Sequence, residues 1–169
     1  TPWVPALMCR AMIETLRIRN LAIAEDVRVD LAPGLNVITG ETGAGKSLLV
    51  AALKLVLGER ADKTLVRSGE KQCDVEAEFR VGERSDIHGL LDETGLPPCE
   101  DGRLVVRRVV SSTGAGRVFI NDAAATLQAL ARIGDLLVDL HGPHEHQSLL
   151  NASFQLSLLD AFGRTEAER

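Results

Sequence analysis

Hydrophobic residues change their period along this chain, and each change predicts a change of element. Val27, Val29 and Leu31 alternate with Asp26, Arg28 and Asp30, the period-two pattern of a half-buried strand. Pro33-Gly34 marks a turn. The mostly apolar run Leu35-Asn36-Val37-Ile38-Thr39 suits a strand covered on both faces. A glycine-rich stretch follows, and Leu48 to Leu57 then takes a helical pattern that Gly58 terminates. Alternation returns from Cys73 to Arg80, with Val75, Ala77 and Phe79 on one face. Ser85 to Thr94 predicts a short helix, with Ser85 as N-cap and Gly95 just past its end. After Pro97-Pro98, the runs Leu104–Val110 and Arg117–Ile120 flank Thr113-Gly114-Ala115-Gly116 and read as a hairpin. A helix is expected from Thr126 towards Ile133, and an apolar strand over Leu136–Leu140. Residues 154–162 are again helical in pattern, and the polar Glu166-Ala167-Glu168-Arg169 suits the start of a longer helix.

Composition narrows the class. At 169 residues, 45% hydrophobic and 25% charged, the chain has the make-up of about one globular domain rather than of a disordered tail or fibre. Nineteen basic against twenty-four acidic residues leave a net charge of −5, which argues against a whole-surface grip on nucleic acid but leaves room for a local basic patch. Four Phe, one Trp and no Tyr disfavour a base-stacking platform. No uncharged apolar run approaches the roughly 18–20 residues that span a bilayer, and Thr1 to Met12 lacks the build of a secretory signal, so no membrane partner is expected. Cys9, Cys73 and Cys99 are odd in number and widely spaced, which points to a reducing cytoplasm rather than a disulfide framework.

The chemistry concentrates in Gly40-Glu41-Thr42-Gly43-Ala44-Gly45-Lys46-Ser47, which fits the P-loop pattern G-x-x-x-x-G-K-[ST]. Glycines let the backbone wrap so that successive N–H groups point inward at phosphate oxygens. Lys46 is placed to reach the β- and γ-phosphates, and the Ser47 hydroxyl to complete a Mg²⁺ sphere. The following helix, beginning near Leu48, aims its positive N-terminus at the same anion. An apolar run before the loop and a helix after it supply the context that the motif requires. The expected ligands are ATP and Mg²⁺.

Other candidates are less specific. Leu136-Leu137-Val138-Asp139 resembles a Walker B strand, but no Glu follows Asp139 to polarise water, and a structural Asp139 in a buried strand explains the run as well. The segment His141-Gly142-Pro143-His144-Glu145-His146-Gln147 packs three imidazoles and a carboxylate into a short stretch. Gly142 and Pro143 break any helical ligand face, and no second ligand cluster accompanies it, so a polar loop beside the nucleotide is preferred to a transition-metal site. Gln147 would there contact magnesium or the attacking water. His88 reads as a surface residue. Arg60, Lys63, Arg67 and Lys71 suit either a phosphate-facing patch or a solvated loop. Arg107 and Arg108, adjacent in a strand, must point to opposite faces, so at most one serves a shared site.

The chain resembles the N-terminal head segment of the RecN family of bacterial DNA repair proteins, relatives of the structural-maintenance-of-chromosomes (SMC) ATPases. The resemblance covers about residues 12–163. It rests on Ile18–Ile23, Thr39–Ser47, Leu57–Asp62, Arg107-Arg108-Val109, Phe119-Ile120-Asn121 and Leu140–Leu150, the last carrying a His-Gly-x-His-x-His-Gln-x-Leu pattern. It implies an α/β fold, the N-terminal lobe of an ABC-type P-loop head with a mixed sheet, a P-loop helix and additional antiparallel strands. It also implies a split head whose C-terminal half lies beyond a coiled coil and supplies Walker B, the catalytic Glu and the signature motif, with Asp139 then not the Walker B carboxylate. On this reading residues 1–11 are an extension and 164–169 open the coiled-coil helix. The catalytic residues are Lys46 and Gln147, and the magnesium contacts are Ser47 and Gln147. The partners are the C-terminal half, a second head as homodimer and DNA at double-strand breaks, in the bacterial cytoplasm at the nucleoid. RecN-like sequences carry Gln where this chain has Pro143; a loop glutamine placed there is missing, and Gln147 is then the only local candidate. The competing reading is a self-contained P-loop phosphotransferase that uses Asp139 as Walker B.

Overall fold

The computed structural model describes residues 11–40, 43–113 and 115–138. Val138 apart, these belong to one unit, Arg10–Leu137; a second, Thr1–Cys9 with Val138–Arg169, otherwise lies outside the described residues.

Six strands form one sheet in the order β2-β1-β3-β4-β5-β6, and every described pairing is antiparallel. The strands are β1 (Met12–Leu21), β2 (Ala24–Asp30), β3 (Gln72–Arg80), β4 (Arg103–Ser111), β5 (Arg117–Ile120) and β6 (Ala123–Ala125). Among the described residues three α-helices accompany them, α1 (Gly43–Val56), α2 (Ser85–Thr94) and α3 (Leu127–Leu137), with a short 3-10 helix over Lys63–Leu65. Period-two alternation decides which side of the sheet is dry. Leu16 and Ile18 on β1, Val75, Ala77 and Phe79 on β3, Leu104 and Val106 on β4, and Val118 and Ile120 on β5 are all buried. Helix α1 lies against β1, β3 and β4, while α3 packs on β5 and α2. Each fully buried aliphatic or aromatic side chain there stabilises the fold by roughly 1.5–3 kcal/mol.

The opposite face is charged and paired. Arg17 Nη2 meets Asp26 Oδ2 at 2.8 Å, Arg103 Nη1 meets Glu78 Oε1 at 2.9 Å, and Arg107 Nε lies 3.0 Å from Asp74 Oδ2. The Arg107 guanidinium also sits 5.1 Å from the Phe119 ring centroid, a cation–π distance. The Arg17 hydrogen bond holds the Asp26 carboxyl below the usual carboxylate range.

Several sequence expectations change in the fold. Residues 35–40 form no strand, and Leu35 is 91% and Val37 72% exposed. A strand needs a neighbour to accept its ladder, and this run joins neither edge of the sheet. β2 does form over the alternating residues, but as an edge strand on which Val27 is exposed and Val29 half-buried. Leu136 and Leu137 continue α3 rather than open a strand. Leu130, Ile133 and Leu137 share one buried helical face, and a Cβ at Gly134 would lie 2.2 Å from the Leu57 carbonyl oxygen. Packing therefore extends the helix past the expected Ile133. Ser85 lies inside α2, with Arg84 at the cap position and no side-chain cap bond. The Arg84 guanidinium instead pairs with Asp86 and donates to the Leu136 carbonyl at 2.9 Å. Gly95 ends α2 in the left-handed conformation, as its position implied. β6 carried no pattern, since it is three alanines. It exists because Asn121 and Asp122, at φ +46° and +61°, make a two-residue reversal after β5.

Candidate functional site: the P-loop and its surroundings

The approach to the site is built by side-chain hydrogen bonds. Asn36 accepts from the Ala32 amide at 3.1 Å and donates to the Ala32 carbonyl at 2.7 Å, closing the Pro33-Gly34 turn. Extended residues then lead to Gly40, and α1 begins at Gly43. Gly45, Lys46, Ser47 and Leu48 thus stand on the first turns of a 14-residue helix whose first turn holds no acidic side chain. The unsatisfied N–H groups and the helix dipole leave this end partly positive.

Lys46 folds back so that its ammonium donates to the carbonyl of Gly40, at the opening of the loop. Among the described residues it has no carboxylate partner. Both ends of the motif therefore meet at one point, and the cation there is held by a neutral oxygen that an anion readily replaces. Ser47 is exposed and Leu48 half-buried. A Cβ at Gly45 would meet nothing within 4 Å, so its surroundings are open. These features fit a triphosphate cradle: a convergent cation, a helix N-terminus, and no negative charge within the described part of the loop. Glu41, Thr42, Asp139, His141, His144, His146 and Gln147 lie outside the described residues.

The remaining candidates separate. Arg67 is a structural pin, donating to the Ile23 carbonyl at 2.7 Å and lying 3.9 Å from Glu25. His88 is half-buried, and its Nε2 donates to the Gly82 carbonyl at 3.0 Å, so it is not a free surface residue. Arg107 and Arg108 do point to opposite faces: Arg107 joins the charged face and Arg108 is buried on the helix side. Asn121 proves architectural. Its amide donates to the carbonyls of Pro97 and Pro98 at 2.9 Å each, and its oxygen accepts from the Val105 amide at 3.0 Å. The burial of Arg108 has a signal in the sequence, since it shares strand parity with Leu104, Val106 and Val110.

A phosphate loop at the N-terminus of a helix that backs an antiparallel sheet defines a P-loop nucleotide-binding lobe. The chain belongs to the AAA domain family, whose model matches residues 15–119. Among curated proteins it is similar to the DNA repair protein RecN of Xylella fastidiosa strain 9a5c, 37% identical over 158 residues (94% of this chain, 28% of the relative). It is 42% identical over 151 residues to RecN of Halalkalibacterium halodurans (89% of this chain, 26% of the relative). The chain thus spans about a quarter of the length of the curated relatives it matches. Its fold is that of an SMC ATPase solved in a study of ATP-driven dimerization and DNA-stimulated activation, with TM-score 0.60 at 20% identity over 88% of this chain and 97% of that one. That likeness shows the fold: an α/β lobe of the kind seen in that SMC ATPase. Among the described residues no helix is long and apolar enough to cross a membrane.

Proposed function

We propose that this chain is the ATP-binding half of the head of a RecN-like protein acting in DNA double-strand break repair and recombination. The observation that carries the reading is the convergence of Lys46 on Gly40 at the N-terminus of α1. When bound, ATP supplies the transferable γ-phosphoryl and Mg²⁺ neutralises its charge. Lys46 would turn its flexible stem from the Gly40 carbonyl to the β- and γ-phosphates. Backbone amides of residues 40–47 would hold the phosphate oxygens, and Ser47 and Gln147 would hold magnesium, with Gln147 also orienting water.

The site is half a machine. Leu35, Val37, Ile38 and Val50 are exposed at 91%, 72%, 50% and 47%, on the two segments that flank the loop. Apolar surface of this kind next to a phosphate cradle favours a partner, and the C-terminal half of the same head would cover it and supply strands for residues 35–39. ATP-driven pairing with a second head would then bring the signature motif. The protein would work in the bacterial cytoplasm at the nucleoid, at broken DNA ends. The test is reconstitution: the C-terminal half added to this chain should restore ATP turnover, rising steeply with protein concentration. Robust, concentration-independent hydrolysis by residues 1–169 alone would overturn the split head and revive Asp139 as Walker B. Gln147→Ala in the full-length protein should slow hydrolysis more than it weakens ATP binding; unchanged turnover at saturating ATP removes Gln147 from the site.

A further inference from the structure

Arg108 is the one charged side chain buried among the described residues, 7% exposed at the centre of β4. Its strand neighbours in register are Val75 on β3 and Val118 on β5, so the sheet offers it nothing polar. Among the described residues no carboxylate or carbonyl reaches its guanidinium, and Nε is fully buried without a hydrogen-bond partner. Burial alone pulls its pKa below the ordinary arginine range, yet arginine remains charged at neutral pH. A buried, unpaired guanidinium is costly, and a structure that retains one calls for an anion.

The surroundings are built for one. Arg108 lines a cavity of about 220 Å³ together with Arg60, Lys63, Ser111, Gly116 and Leu127. It also lines an adjoining cavity of about 550 Å³, which adds Arg117. Among the described residues no carboxylate lines either cavity, in a chain whose net charge is −5. The nearest acids in sequence look elsewhere: Glu59 pairs with Lys54, and Asp62 accepts from the Thr64 amide. Arg60 and Lys63 have no acidic partner among the described residues. Leu127, the first residue of α3, lines both cavities, and that helix has no acid in its first turn. Although the Thr126 hydroxyl caps the Ala129 amide at 3.1 Å, the partly positive N-terminus of α3 still borders the cavity.

We propose that Arg108, Arg60, Lys63 and the N-terminus of α3 form a binding site for a phosphate group, distinct from the P-loop. The distinction is geometric. α1 runs about 20 Å from the P-loop to its C-terminal end, and Arg60 and Lys63 follow that far end. There Gly58 lies against Ala131 of α3, one turn on from Leu127. Size supports a phosphate group over a whole nucleotide, since the smaller cavity falls below the ~300–1,000 Å³ typical of organic ligands. The adjoining cavity gives room for whatever carries the phosphate, either a DNA backbone or a free phosphate.

The test uses the full-length protein in a Lys46→Ala background, so that the P-loop takes no part and its fate does not decide the result. Inorganic phosphate should bind saturably by calorimetry and raise the thermal midpoint. Arg108→Met, which keeps the apolar stem, should weaken phosphate binding at least tenfold, and Lys63→Gln and Arg60→Gln several-fold each. No saturable binding, or unchanged affinity in a folded Arg108→Met protein, would overturn the site. Should Arg108→Met fail to fold, unchanged affinity in both Arg60→Gln and Lys63→Gln overturns it equally. A short DNA duplex separates the sources. Competition with phosphate, and a salt slope smaller by about one in Arg108→Met, assigns a backbone phosphodiester. Duplex binding indifferent to phosphate assigns a free phosphate.

Discussion

The two faces of this lobe follow opposite rules. On the outer face of the sheet every principal charge has a partner: Arg17 with Asp26, Arg103 with Glu78, Arg107 with Asp74, Arg80 with Glu14. Around the P-loop and the end of α1 the rule is suspended. Lys46 rests on a carbonyl, Arg108 has no polar partner among the described residues, and Leu35 and Val37 stand in solvent. The paired face is scaffold, since its charges find opposite charges within the lobe, even though Arg107 Nε meets Asp74 as an ion pair without a well-aligned hydrogen bond. The unsatisfied regions mark where ligands and partners would bind, because incomplete groups cost free energy that only another molecule recovers.

The sharpest break of this comparison is activity. On the proposed split-head reading, residues 1–169 alone should turn over ATP far more slowly than the full-length protein, because each electrostatic contact left to the C-terminal half would cost about 10²–10³ in rate. Lys46→Ala in the full-length protein removes one such contact and should cost about 10²–10³ in steady-state turnover. Wild-type nucleotide affinity and rate in that variant would sink the P-loop assignment.

A smaller contrast tests the apolar residues. Leu104→Ala, in the core, should destabilise the chain by about 2–5 kcal/mol in denaturant titration. Val37→Ser should change stability by less than about 0.5 kcal/mol in the chain alone, yet weaken its association with the C-terminal half. Equal destabilisation of the chain by both would show that Val37 is already packed.

The smallest effect is electrostatic. The Arg84 hydrogen bond holds the Asp86 carboxyl below the ordinary carboxylate range. The folded pKa is depressed, so this stabilisation is full above about pH 4 and is lost as the pH falls through the folded value. Wild type should lose slightly more stability between pH 7 and pH 3 than Arg84→Gln. An identical loss in both proteins would show that the pair contributes nothing.

Local signals in the amino-acid sequence make most of the elements legible. Alternation locates β3 and β4 and Gly95 locates the end of α2, because each of these depends on neighbours close in sequence. The P-loop motif announces α1, but the helix begins at Gly43 inside the motif rather than at the expected Leu48. Local pattern fails where a distant contact decides. Residues 35–39 have the composition of a buried strand, but burial needs a ladder partner, which no described strand supplies. Leu136 and Leu137 suit strand or helix alike, and the contact of Gly134 with Leu57 settles for helix. Asn121 reads as one residue of a motif, whereas its three hydrogen bonds join β4, β5 and the Pro97-Pro98 turn.

The sequence by itself thus located the phosphate-loop motif and the alternating strands, since periodicity and glycine spacing act within one or two turns of chain, while the class of fold followed from the family resemblance. Tertiary structure alone decided which charges are satisfied. Arg107 and Arg108 are chemically identical neighbours, yet one is matched by Asp74 on the next strand and the other faces a cavity without an acid among the described residues. The reason is that pairing depends on what the adjoining strands and helices bring opposite each side chain, over separations that no local pattern records.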